Sequence, residues 1–248
     1  MLSGIKTKKP KKKKLSFQNK VIFLSVSFGF LYLGQILASF TAELLASFKG
    51  EALTSALEEY VVSMSPLMIL VVMVILAPVF EEILFRKLVI DRLLPYSERL
   101  AVLISGLLFG LVHGNFFQFF YSFFLGIIFG IVYVKTGRIR YTIAMHMIIN
   151  FSGTLVNDAF DRLINSDGAL SNSINPWGVL FDIYSLAQLV LIVMGIILFF
   201  LNYKKVTLEK NGEKELSFKS QMQLTFGNTG MILVLVLTGL SFIGSIFI

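Results

Sequence analysis

The chain has 248 residues, 56% of them hydrophobic and 15% charged, with a mean hydropathy of +0.79 and a formal net charge of +7 at pH 7. That length suits one domain, and that composition excludes an ordinary soluble one, in which about 25% of residues are charged. The chain has no cysteine, so disulfides, thiolate metal ligands and a cysteine nucleophile are excluded as well.

Apolar stretches at 21–48, 66–90, 99–117, 119–135, 139–157, 178–202 and 229–248 predict an all-α, polytopic transmembrane bundle of about seven spanning helices. About 20 helical residues cross a hydrocarbon core of about 30 Å. Twenty of the 22 Lys and Arg fall at 6–20, 86–99, 135–140 and 204–219. Because basic residues are retained in the cytoplasm, seven crossings with a cytoplasmic N terminus put all four clusters inside and leave only Lys49 and Arg162 outside. The expected organisation is a basic cytoplasmic arm, 1–20, and one transmembrane domain, 21–248, with a catalytic core at about 66–157.

The arm is expected to be disordered. Its run of lysines at 8–14 resembles a nucleic-acid patch out of context. Beside a membrane span it reads as a topology signal that attracts anionic lipid, at about 1 kcal/mol per basic residue, with no nucleic-acid partner. The first apolar stretch is too long for a signal-peptide core and is read as retained. Glu43 falls near its outer end, and Glu51, Glu58 and Glu59 in the following outer loop read as solvated charge.

The apolar run 66–80 ends in Glu81-Glu82-Ile83-Leu84-Phe85-Arg86. An acidic residue at the centre of a membrane helix costs about 2.5–3.5 kcal/mol, so two adjacent ones call for a function. Residues four apart share a helix face, so Glu82 can pair with Arg86, which leaves Glu81 to face a cavity. Pro78 removes a backbone donor and frees the carbonyl of Val74, predicting a kink just before the carboxylates.

A cytoplasmic amphipathic connection is expected at 87–99. Beyond it, Gly106, Gly110 and Gly114, then Gly126 and Gly130, put small residues on helix faces where a neighbour can approach closely. Between them lies Phe109-Gly110-Leu111-Val112-His113, whose spacing sets an aromatic wall beside the imidazole. A turn at 135–140 precedes His146-Met147-Ile148-Ile149-Asn150, in which His146 and Asn150 share a face. The stretch 157–176, with Asp158, Asp161 and Asp167, reads as an outer loop, and Trp177 as an interfacial anchor. Asp182 is placed near the outer interface. The last two helices flank a hydrophilic cytoplasmic segment, 202–220, and read as scaffold or as a lateral wall.

Both histidines of the chain therefore fall in predicted spans, together with an acidic pair and an Asn. These parts suit amide hydrolysis. A carboxylate in a poorly solvated cavity is a stronger base toward water, which suits Glu81. An imidazole can hold the same water, which suits His113. A second imidazole and a carboxamide can stabilise the oxyanion, which suits His146 with Asn150. No serine lies in a nucleophile elbow.

The blocks EEILFR, FGLVH and HMIIN resemble the Glu-Glu-x-x-x-Arg, Phe-x-x-x-His and His-x-x-x-Asn motifs of the CPBP family: the CAAX prenyl endopeptidases and their bacterial relatives, including bacteriocin-processing and immunity proteins, also called the Abi family. The resemblance covers about 66–157 and departs from the pattern at no motif position. It implies a glutamic intramembrane endopeptidase in which Glu81 activates water with help from His113, His146 and Asn150 form the oxyanion site, and Glu82 with Arg86 supports them. No cofactor is expected on this reading. The expected substrate is a membrane-associated peptide or protein, whether in peptide or bacteriocin maturation, immunity or CAAX-type processing. It would be reached through a cavity open to the cytoplasmic half of the bilayer. The Lys-, Ile- and Phe-rich composition hints at an AT-rich bacterium and its cell membrane.

Two alternatives stand beside this. In one, two histidines and a glutamate hold a catalytic zinc with water as the fourth ligand, against which stand the lack of His-Glu-x-x-His and the poor ligand quality of Asn. In the other, the chain is a scaffold, regulator or immunity protein that binds a peptide without cutting it. One inconsistency belongs to the topology itself. Counted from the basic clusters, Glu81 and His146 lie about 8–10 Å deep but His113 about 21 Å.

Overall fold

The computed structural model describes residues 7–51, 53, 63–156, 158–159, 176–209 and 217–247. Glu58, Glu59, Asp161, Arg162 and Asp167, and the side chain of Trp177, lie outside the described residues. Among the described residues all regular structure is helical: α1 (Phe17–Lys49), α2 (Pro66–Leu93), α3 (Glu98–Leu111), α4 (Phe116–Thr136), α5 (Ile139–Asn150, prolonged by a wider turn over Phe151–Val156), α6 (Pro176–Asn202), α7 (Phe218–Phe226) and α8 (Thr229–Phe247).

Five of these, α1, α2, α4, α6 and α8, are long and apolar enough to cross a membrane, and the chain is an integral membrane protein. The other two of the seven expected stretches form the shorter α3 and α5. With 14 residues, α3 reaches about 21 Å, short of a hydrocarbon core. It stops where Gly114, at φ 66, turns the chain into α4.

Local chemistry sets the boundaries. Ser16, Ser97 and Asn115 lie in extended backbone and accept from the N–H groups of Asn19, Leu100 and Gln118, capping α1, α3 and α4. Gly137, at φ 58, ends α4.

Helices α3 and α4 form an antiparallel hairpin whose crossing is set by the glycine stripes. A Cβ on Gly126 would lie 2.7 Å from the Cα of Gly106. Gly126→Ala is therefore expected to push the hairpin apart and cost about 1–3 kcal/mol, read as a lowered unfolding midpoint in detergent. Helix α1 crosses α4 where Gly34 meets the Tyr121 backbone, and α6 where Gly29 meets Gly195. The shared core, with Phe28, Phe85, Phe109, Phe129, Met145 and Ile149, is where α1 to α5 converge. On α6 and α8, Val190, Ile197, Leu237 and Leu240 face outward. The C-terminal part of α8 meets the far end of the hairpin through Phe242, whose ring lies 4.9 Å from that of Phe116.

Lys8, Lys13, Arg99, Lys135 and Arg138 gather at one end of the bundle. The expected disordered arm is instead an ordered segment over residues 7–16, without regular secondary structure, and α1 begins at Phe17. The arm's Lys8 N–H donates to the Asp91 carbonyl at 2.9 Å and its Lys13 N–H to the Thr136 carbonyl at 2.8 Å. The segment after α6 returns to the same end. There Arg99 Nε donates to the Leu208 carbonyl at 3.0 Å, and Glu98 pairs with Lys135 at 2.8 Å. Unpaired carbonyls at helix ends attract a passing chain's N–H groups, which the lysine-rich composition of the arm could not reveal.

Candidate active site

Helix α2 runs unbroken past Pro78 but is wound wide on both sides of the carboxylates, with π-helical stretches at Ile69–Leu76 and Ile83–Ile90 around the α-helical Ala77–Glu82. The wide winding moves the carbonyl freed by Pro78. Ala77 N–H bonds Val72 O, five residues back. In that register the carbonyl facing the missing N–H of Pro78 is that of Met73 rather than Val74. Asn150 fills the vacancy, its Nδ2 donating to Met73 O at 2.9 Å. One amide hydrogen of Asn150 thus ties α5 to α2, and the other is left for a ligand.

Glu82 and Arg86 form the i,i+4 pair, bidentate at 2.9 and 3.2 Å, with both side chains fully buried. Arg86 Nη1 also donates to Ser105 Oγ at 2.6 Å, and Ser105 Oγ donates to the Phe85 carbonyl at 3.0 Å. The guanidinium stands against the rings of Phe109 and Phe129, at 5.3 and 5.8 Å from their centroids. A charge pair in an apolar core persists only when its donors and acceptors are all occupied, and this set comes close. Ser105→Ala leaves one guanidinium N–H unmatched in that core. The expected cost is about 1–3 kcal/mol, read by thermal unfolding of the purified protein.

His146 lies between the two carboxylates. Its Nδ1 is 3.2 Å from Glu82 Oε1 and its Nε2 is 3.6 Å from Glu81 Oε2. A carboxylate already paired with arginine can only accept, so Nδ1 donates to Glu82, and Nε2 is the nitrogen turned to Glu81. The Glu81 side chain is 30% exposed and that of Glu82 fully buried, so the adjacent acids are separated by environment as well as by direction.

The rings of His113 and His146 both meet the buried Phe109 ring edge-on, at 5.3 and 5.5 Å between centroids. In the turn after α3, His113 Nδ1 lies 2.7 Å from the Phe109 carbonyl, which can only accept, so Nδ1 carries the proton. Nε2 is left as an acceptor, with the Ser122 hydroxyl at 3.4 Å. The structure therefore brings Glu81, Glu82, Arg86, Phe109, His113 and His146 together in one cluster. It places Asn150 one turn beyond His146, with its amide engaged on Met73.

Because Arg86 is buried, it marks no membrane surface. The Glu81 and His146 side chains lie 3.6 Å apart and the rings of His146 and His113 both meet Phe109, so the three groups share one level of the bundle and the unequal depths counted from the basic clusters do not hold. The sequence reading missed Ser105, Ser122, Phe129 and the Met73 carbonyl. A hydroxyl next to the glycine stripe was the only signal for Ser105, and a backbone carbonyl leaves none. Among the described residues no three His, Cys, Asp or Glu side chains are grouped to hold a metal ion.

Residues 63–152 match the family described as Rce1-like, type II CAAX prenyl endopeptidase Rce1-like. No curated protein and no solved structure matches the chain.

Proposed function

We propose, from the match of residues 63–152 to the Rce1-like CAAX prenyl endopeptidase family, that Glu81 activates a water to cut a membrane-associated peptide or protein. The family supports a membrane endopeptidase. The observation that carries the mechanism is the single imidazole of His146 set between two adjacent carboxylates, one locked by arginine and the other partly open.

Nε2 of His146, 3.6 Å from Glu81 Oε2, is the nitrogen turned to the reacting group, while Glu82 accepts from Nδ1. A water beside Glu81 gives its proton to the carboxylate as its oxygen attacks the peptide carbonyl carbon. His113 Nε2, an acceptor, orients that water by taking a hydrogen bond from it. The new oxyanion accepts from His146 Nε2–H and from the spare Nδ2–H of Asn150. Collapse breaks the C–N bond, and the amine leaves with the proton that Glu81 had taken. Glu82, Arg86 and Ser105 hold His146 in place throughout. No metal enters these steps, and cleavage by the purified protein is expected to survive exhaustive chelation.

The basic end is assigned to the cytoplasm, where Lys and Arg are retained. The deciding experiment compares peptides in cells carrying the intact protein with those carrying Glu81→Ala. Loss of cleaved products and accumulation of their precursors are expected. An unchanged profile would leave a protein that binds peptide without cutting it.

A further inference from the structure

The arm over residues 7–16 carries lysines at 8, 9, 11, 12, 13 and 14, yet it is held through its backbone. Besides the bonds from Lys8 and Lys13, the Arg138 guanidinium donates to the Lys13 carbonyl at 3.0 Å, and Leu15 N–H points to the Tyr141 hydroxyl at 3.4 Å. At Gly137 the arm passes so close that a Cβ would lie 2.5 Å from the Pro10 carbonyl oxygen. The strap therefore joins the ends of α2, α4 and α5, of which α2 carries Glu81 and Glu82 and α5 carries His146.

The side chains of Lys11, Lys12, Lys13 and Lys14 are exposed and enter no ion pair among the described residues. Lys20 and Arg140 both lie against the Tyr141 ring, at 5.6 and 5.3 Å, and add their charges to the same ledge. Asp91, the acid beneath the arm, is buried and accepts from the Tyr133 hydroxyl at 2.9 Å.

We propose that this ledge is a preassembled clamp for anionic phospholipid headgroups, and that lipid bound there braces the ends of α2, α4 and α5. The occupant follows from charge and place: ammonium groups with no ion pair among the described residues stand at the ends of α2 and α4, two of the helices long and apolar enough to cross a membrane, and of α5 beside them. Each basic residue near an anionic surface is worth about a fivefold gain in binding. An arm already in place loses little freedom on binding, unlike a flexible tail.

The test uses the full chain in phosphatidylcholine nanodiscs with and without phosphatidylglycerol, following the unfolding midpoint and amide exchange over residues 8–15. Phosphatidylglycerol is expected to raise the midpoint and slow exchange about tenfold at low salt, both effects fading as salt screens the charges. Lys11, Lys12, Lys13 and Lys14→Gln together should abolish both responses and leave the midpoint in phosphatidylcholine unchanged. Lys204→Gln with Lys219→Gln should keep both. The clamp is overturned if the fourfold variant still responds, if the control pair also loses the response, or if soluble glycerol phosphate gives equal protection. None of these readouts depends on peptide cleavage.

Discussion

Glu81→Gln is expected to fold normally and to lose cleavage by about 10²–10⁴-fold in kcat, the range for removal of a general base. The amide has the shape of the carboxylate and keeps a polar atom toward His146, but it cannot take a proton from water. The side chain is partly exposed and has its closest charged neighbour at 3.6 Å, so little of the fold rests on it. Purified variant and parent should therefore unfold at similar midpoints, because the amide conserves the volume of the carboxylate. Retained cleavage at normal stability would remove Glu81 from the chemistry. A collapsed unfolding midpoint would move it into the structural class with Glu82.

Arg86→Ala is expected to do the opposite, lowering stability by about 3–5 kcal/mol, because it strands a fully buried carboxylate and empties the space between Phe109 and Phe129. Activity should fall with it, since His146 Nδ1 leans on the same carboxylate. Thermal unfolding in detergent measures the loss directly. Removing both charges together, with Glu82→Gln and Arg86→Met, should recover part of the stability because neither partner is then left unmatched. If Arg86→Ala alone costs less than about 1 kcal/mol, as a solvent-exposed pair would, water reaches the pair and the buried cluster is misplaced.

How far these side chains were legible depends on the distance over which each is determined. The i,i+4 spacing told Glu82 from Glu81, and the same geometry put Phe109 beside His113 and His146 on one face with Asn150. The glycine stripes marked the α3–α4 crossing for a similarly local reason, since small residues four apart line one face. Arg86 was harder. Its pairing was legible, but its depth was taken from a count of basic residues, which cannot tell a buried guanidinium from one at the surface.

The amino-acid sequence by itself determined an all-helical membrane chain with two carboxylates of different standing and two histidines at chemically useful positions, because hydrophobicity and the 3.6-residue turn act over a few neighbours. Only the tertiary structure decided that Met73 rather than Val74 offers its carbonyl, that Asn150 takes it, that Ser105 completes the arginine's contacts, and that the lysine arm lies docked across three helix ends. Each of these joins residues far apart in the chain. Such pairs form where helix packing leaves a polar group that water cannot reach, and the cost of leaving it unmatched selects the partner.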